Sequence, residues 1–165
     1  MANCRYNSSL PFHFISDNIF CFLKDGYICF MNLLNNEKKY LYITCSQDEG
    51  YVAQYYFDVV KCRYEKKEED CNKNMTINIM LLQNENKKII KETCYIKNVV
   101  TNKIYHTLFL VINKHYHNIL CSLSFENNSF EILNTNFVKT FKGKIKSMAC
   151  TNNNIFVLIK KKKKL

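Results

Sequence analysis

Residues 118–133 read Asn-Ile-Leu-Cys-Ser-Leu-Ser-Phe-Glu-Asn-Asn-Ser-Phe-Glu-Ile-Leu, and this alternation constrains the fold more than any other stretch. A strand turns its side chains to opposite faces with a period of two residues. With Asn127 and Asn128 as a two-residue turn, both tolerant of positive φ, Phe125 is set opposite Phe130 and Leu123 opposite Ile132. Cys121, Leu123, Phe125, Phe130 and Ile132 then share an apolar face, while Ser122, Ser124 and Glu131 share a polar one. Leu120 and Leu133 interrupt the polar face, which therefore is partly covered.

A second hairpin is written in Asn18-Ile-Phe-Cys-Phe-Leu-Lys-Asp-Gly-Tyr-Ile-Cys-Phe-Met-Asn32. Asp-Gly is a strong turn signal, and it opposes Leu23 to Ile28, Phe22 to Cys29 and Cys21 to Phe30. Both faces are apolar, so this pair is expected to be covered on both sides. Cys21 and Cys29 fall on opposite faces and are not expected to bridge.

Further short strands are expected at 12–15, 40–45, 75–82, 88–100, 105–112, 144–150 and 155–159, with turns at 33–39, 113–117 and 151–154. Residues 51–62 are β-rich with a helix as the alternative, and 63–74 reads as a charged, solvated loop. The fold class is all-β: an antiparallel meander of about a dozen short strands, arranged as propeller-like blades or as a barrel or sandwich. The chain of 165 residues suits one domain over 1–159 with a basic tail at 160–165.

The segment Ile145-Lys-Ser-Met-Ala-Cys-Thr-Asn-Asn-Asn-Ile-Phe-Val-Leu-Ile159 joins a small-residue strand, a polar turn and an apolar strand. It resembles a blade segment of the RCC1-like and WD-type β-propellers. Its apolar run is similar to the one beginning at His106, at a separation near the roughly 40–50 residues of a blade. The resemblance implies a platform for protein or nucleic-acid partners.

Charge and cysteine usage bound the rest. The net charge is +10, yet 22 of the 24 basic residues are Lys and only Arg5 and Arg63 supply the planar fork favoured in base readout. The 22 Asn, with abundant Lys, Ile, Phe and Tyr, point to an AT-rich genome such as a parasite's or a virus's. Nine cysteines at irregular spacing, with no C-x-x-C pair, suit buried reduced thiols in the cytoplasm or nucleus. The sequons at Asn7, Asn74 and Asn127 suit the alternative, a secreted glycosylated protein. No apolar run reaches the ~18–20 residues that span a bilayer, so no transmembrane segment is expected.

Catalytic chemistry finds no foothold. The three glycines, Gly26, Gly50 and Gly143, form no phosphate-cradling loop. His115 and His117 beside Cys121 lack a second ligand pair, so neither a metal nor a cofactor is expected. The candidate partner-binding residues are Tyr55 and Tyr56 close to Lys61, Arg63, Lys66 and Lys67, with His115 and His117 in the turn before the first hairpin. Aromatic rings beside basic groups also suit single-stranded nucleic acid. The expected function is a non-enzymatic β-rich protein-interaction module, part of a propeller-like assembly if the resemblance holds. A single-stranded nucleic-acid-binding barrel is the alternative.

Overall fold

The computed structural model describes residues 12–46, 64–67, 74–90, 94–114 and 117–160. Its strands are β1 (His13–Phe14), β2 (Ile19–Lys24), β3 (Tyr27–Asn32), β4 (Lys38–Ser46), β5 (Tyr64–Lys67) and β6 (Asn74–Leu82). They continue as β7 (Cys94–Asn102), β8 (Thr107–Lys114), β9 (His117–Phe125), β10 (Ile132–Lys142), β11 (Lys144–Cys150) and β12 (Ile155–Lys160). Three antiparallel sheets result, in the orders β1-β2-β3-β4-β6-β5, β10-β9-β8-β7 and β11-β12. They are called sheets A, B and C below.

Alternation then stacks the sheets. Ile19 and Cys21, Ile28 and Phe30, Leu41 and Ile43, and Ile77, Ile79 and Leu81 point inward from sheet A. Ile96, Leu108, Leu110, Ile112, Ile119, Cys121, Leu123 and Phe125 meet them from sheet B. Phe30 and Phe125 lock the two halves with ring centroids 5.6 Å apart. Of the architectures the pattern allows, this is the sandwich, two sheets sharing one dry layer.

Each sheet also has a second apolar face. On sheet B, Val111 and Leu120 are covered by Ile145, Met148, Ile155, Val157 and Ile159 of the β11–β12 hairpin. On sheet A, Tyr27, Cys29, Tyr42, Met80 and Leu82 pack with Ile89 and Ile90.

The hairpin at 18–32 has the register expected, with Leu23 opposite Ile28, Phe22 opposite Cys29 and Cys21 opposite Phe30. Asp25 and Gly26 take φ of 47° and 89°, the positive values that a two-residue hairpin turn demands. Gly26 also sits against Tyr95, whose Cβ would lie 3.1 Å from an added methyl, and its carbonyl accepts from the Ile96 N–H at 2.9 Å. No side chain fits there without displacement.

The hairpin at 118–133 differs from expectation in its register. Ile132, not Phe130, stands opposite Phe125, and a bulge at Leu133 shifts the following pairs so that Asn134 meets Ser124 and Thr135 meets Leu123. Of the two turn asparagines only Asn128 has positive φ (53°), which is one residue too few for the tight turn. A wider loop closes instead through the Glu126 N–H to the Glu131 carbonyl (2.9 Å) and the Ser129 N–H to the Glu126 carbonyl (3.1 Å). Asn128 Oδ1 meanwhile accepts from the backbone N–H of Asn18 at 3.3 Å, tying the loop to sheet A. Phe130 and Ile132 still reach the core, and Leu120 is covered, but the bulge leaves Leu133 exposed.

Other boundaries also move. Residues 64–67, expected within a solvated loop, form β5, an edge strand paired with β6 from Tyr64 opposite Ile77 to Lys67 opposite Asn74; charged residues are well placed at such an edge. Lys88 and Ile89, expected to open a strand, instead belong with Lys87 to a 3-10 turn (Lys87–Ile89) capped by Asn86, whose side chain accepts from the Lys88 N–H. Ile89 can thereby tuck onto sheet A. Tyr105 and His106 lie in a turn rather than a strand, His106 having φ of 51°. Asn113 and Lys114 extend β8, and His117 opens β9. Residues 51–62 and 160–165, apart from Lys160 at the end of β12, lie outside the described residues.

Candidate interaction surface

Strand alternation builds an aromatic stripe along the outer face of sheet A. With Ile19 and Cys21 pointing inward, β2 must point Phe20 and Phe22 outward. Pairing of Phe14 with Phe20 brings the short β1 into line, so Phe12 and Phe14 join the same face. The Phe12 ring meets Phe20 and Phe22 edge-on at 5.3 and 5.5 Å, and Phe14 lies 5.8 Å from Phe20. Two edge-to-face contacts and one tilted contact thus join the four rings in one array. Phe12 is nonetheless 60% exposed and Phe14 41%.

The stripe ends where a polar clasp covers the rest of the face. Tyr27 and Tyr42 stack at 4.8 Å, and both hydroxyls are engaged. The Tyr27 hydroxyl donates to Glu85, and the Tyr42 hydroxyl accepts from the Asn86 N–H at 2.7 Å. Lys24 and Lys87 stand 3.6 and 3.8 Å from the Glu85 carboxylate. The Tyr27 hydrogen bond, with these lysines, holds the Glu85 carboxyl below its usual range. Burial, and then the Glu85 hydrogen bond, push the Tyr27 phenol well up. Burial raises the Cys29 thiol beneath to about 11. A phenol and a thiol held protonated are poor nucleophiles, so the clasp is cohesive rather than reactive.

The remaining titratable groups follow the same pattern. Cys21, Cys29, Cys121 and Cys150 form no disulfide, as expected, whereas Cys94 is disulfide-bonded, which departs from the expectation of reduced thiols throughout. Cys21 and Cys29 lie on opposite faces of their hairpin. Burial lowers the pKa of His13, whose Nε2 lies buried with no hydrogen-bond partner among the described residues. His106 Nδ1 lies 3.1 Å from the Ile15 carbonyl, a link between sheets. At the loop of the 118–133 hairpin, Glu126 is raised by its hydrogen bond and like charge with Glu131. Among the described residues no group of three or more His, Cys, Asp or Glu could hold a metal ion.

Two open clefts are also present. One, near 400 Å³, lies between Asn32, Glu37, Lys39, Asn128 and Glu131; the other, near 350 Å³, lies between Asn102, Tyr105, Phe109 and the turn 151–154. The first lining includes Ser129 and the second Thr151, and neither contains a Cys or a His.

Of the partner-binding residues expected from sequence, Tyr55, Tyr56, Lys61, Arg63 and His115 lie outside the described residues. Lys66 and Lys67 fall on β5 at the edge of sheet A, and His117 opens β9 opposite Lys114 and Lys142. Lys66 and Lys67 are thus at the far edge of sheet A from β1. The phenylalanine stripe was missed, although Phe12-x-Phe14 and Phe20-x-Phe22 carry the two-residue spacing that signals it. No helix among the described residues is long and apolar enough to cross a membrane. No family model, curated protein or solved structure matches the chain.

Proposed function

We propose that the chain is a non-enzymatic protein-interaction module whose contact surface is the stripe Phe12, Phe14, Phe20 and Phe22. The observation that carries this reading is the exposure of Phe12 and Phe14 on a ring array already fixed in place. Fixed aromatic rings lose little conformational entropy when a partner covers them, and aromatic residues are enriched at the centres of protein interfaces. The rest of the same face is buried, so it is an apolar layer left open at one end. The closed state of the Tyr27 and Cys29 side chains supports a binding role over a catalytic one.

The test is affinity capture from the native source by the full chain and by an F12S/F14S variant. Wild type retains a stoichiometric protein partner, and the variant weakens it at least about tenfold, in keeping with loss of buried aromatic anchors. The variant gives up three ring contacts and so melts somewhat lower, and capture is compared at a temperature where both proteins are folded. Equal capture by the variant contradicts the surface. Salt-sensitive binding of a single-stranded oligonucleotide without any protein partner replaces this reading with the nucleic-acid one.

A further inference from the structure

Charge is divided unevenly along the chain. Residues 1–131 hold all fourteen acidic groups with fifteen basic ones, whereas residues 132–165 hold nine Lys and no acid. Nine of the ten net charges therefore belong to the last 34 residues. In the fold this segment supplies β10, an outer strand of sheet B, and the β11–β12 hairpin laid across that sheet. The five of these lysines that are described, Lys139, Lys142, Lys144, Lys146 and Lys160, thus lie on β10 and on the hairpin across sheet B, away from the phenylalanine stripe on sheet A.

The outer face of that hairpin is not the polar surface a solvated sheet face normally presents. Phe156 and Leu158 are 56% and 59% exposed. Their cross-strand partners are the small Ala149 and Ser147, so both side chains stand above their surroundings. Lys144 and Lys160 are paired at one end, and Lys146 lies at the adjoining bulge; all three are exposed. The sequence continues from Lys160 into four more Lys. Folding does not require Phe156 and Leu158 to be apolar, since Ile145, Ile155, Val157 and Ile159 already anchor the hairpin from beneath.

We infer that the outer face of the β11–β12 hairpin docks on an anionic lipid surface, Phe156 and Leu158 entering the headgroup layer while Lys144, Lys146 and Lys160 face lipid phosphates. Charge complementarity selects the occupant: a face that carries Lys144, Lys146 and Lys160, in a stretch of sequence with no Asp or Glu, repels a cationic surface and is drawn to an anionic one. Neither cleft includes Phe156 or Leu158. A bilayer needs no groove, only apolar protrusions ringed by cations. Nucleic-acid phosphates match the charge but leave Leu158 without a partner, and lysine lacks the arginine fork.

Vesicle sedimentation of the full chain tests this. Vesicles with about 30% phosphatidylserine bind it at low salt, at least about tenfold more weakly at 0.5 M salt, and more tightly than pure phosphatidylcholine vesicles at either. A K144E/K146E variant loses at least about 25-fold, taking about fivefold per lysine. An F156S/L158S variant loses about tenfold or more while melting as the wild type does. Three results overturn the inference: no preference for anionic vesicles, anionic binding unchanged in both variants, or tighter binding to poly-glutamate or an oligonucleotide than to the vesicles at the same salt.

Discussion

Tyr27 shows how a single side chain is committed in this fold. It is fully buried on the outer face of sheet A, yet its hydroxyl reaches Glu85 on the segment that covers it. A buried hydroxyl left without a partner costs about 1–3 kcal/mol, so the clasp and the apolar layer depend on each other. His13 is the opposite case. Its inward position on β1 is fixed by pairing with Cys21, and burial leaves Nε2 unpartnered. Its folded pKa is lowered, so the unfolded chain binds more protons as pH falls through 6.5. The stability tied to neutral His13 is therefore complete above pH 6.5 and is lost progressively below it. Melting temperatures between pH 8 and 5 are expected to fall for the wild type and to fall less for H13F; parallel curves would show that His13 does not set this limb.

At the scale of elements, local chemistry was legible and distant ties were not. Asp25-Gly26 specifies its own turn, and the paired register follows from it residue by residue. The loop after Phe125 is set partly by the bond between Asn128 and Asn18, 110 residues away, which no local pattern contains. The 3-10 turn at Lys87–Ile89 was hidden for the same reason: it exists to bring Ile89 onto a face built by other strands. The stripe was readable in principle, because Phe12, Phe14, Phe20 and Phe22 alternate, but their convergence requires the β1–β2 pairing. The β11–β12 hairpin shares no strand ladder with sheet B; it rests on Leu120 and Val111 and is tied at its turn by Asn102 Nδ2 donating to the Thr151 and Asn152 carbonyls and by Cys150 Sγ donating to the Thr101 carbonyl. L120A is accordingly expected to cost about 2–5 kcal/mol and to lower hydrogen-exchange protection most strongly within 144–160. Uniform loss across both sheets would mean that the hairpin is not a separable layer.

At the scale of the whole molecule, the layers give two unlike ends. Sheet A ends in an aromatic stripe with Lys103 over its Phe14 ring, paired to Asp17, and the C-terminal hairpin carries Lys144, Lys146 and Lys160 near Phe156 and Leu158. The dry layer between them, closed by Phe30 and Phe125, holds the two ends in fixed relation. One module can therefore present the proposed protein-binding stripe and a charged face at once. The stripe carries the central claim, and site-specific photo-cross-linking reads it most directly. With Phe14 replaced by p-benzoylphenylalanine, native-source extract is expected to give one dominant protein adduct, absent when the same group replaces Leu133. Adducts that are equal at both positions, or none at Phe14, would contradict it.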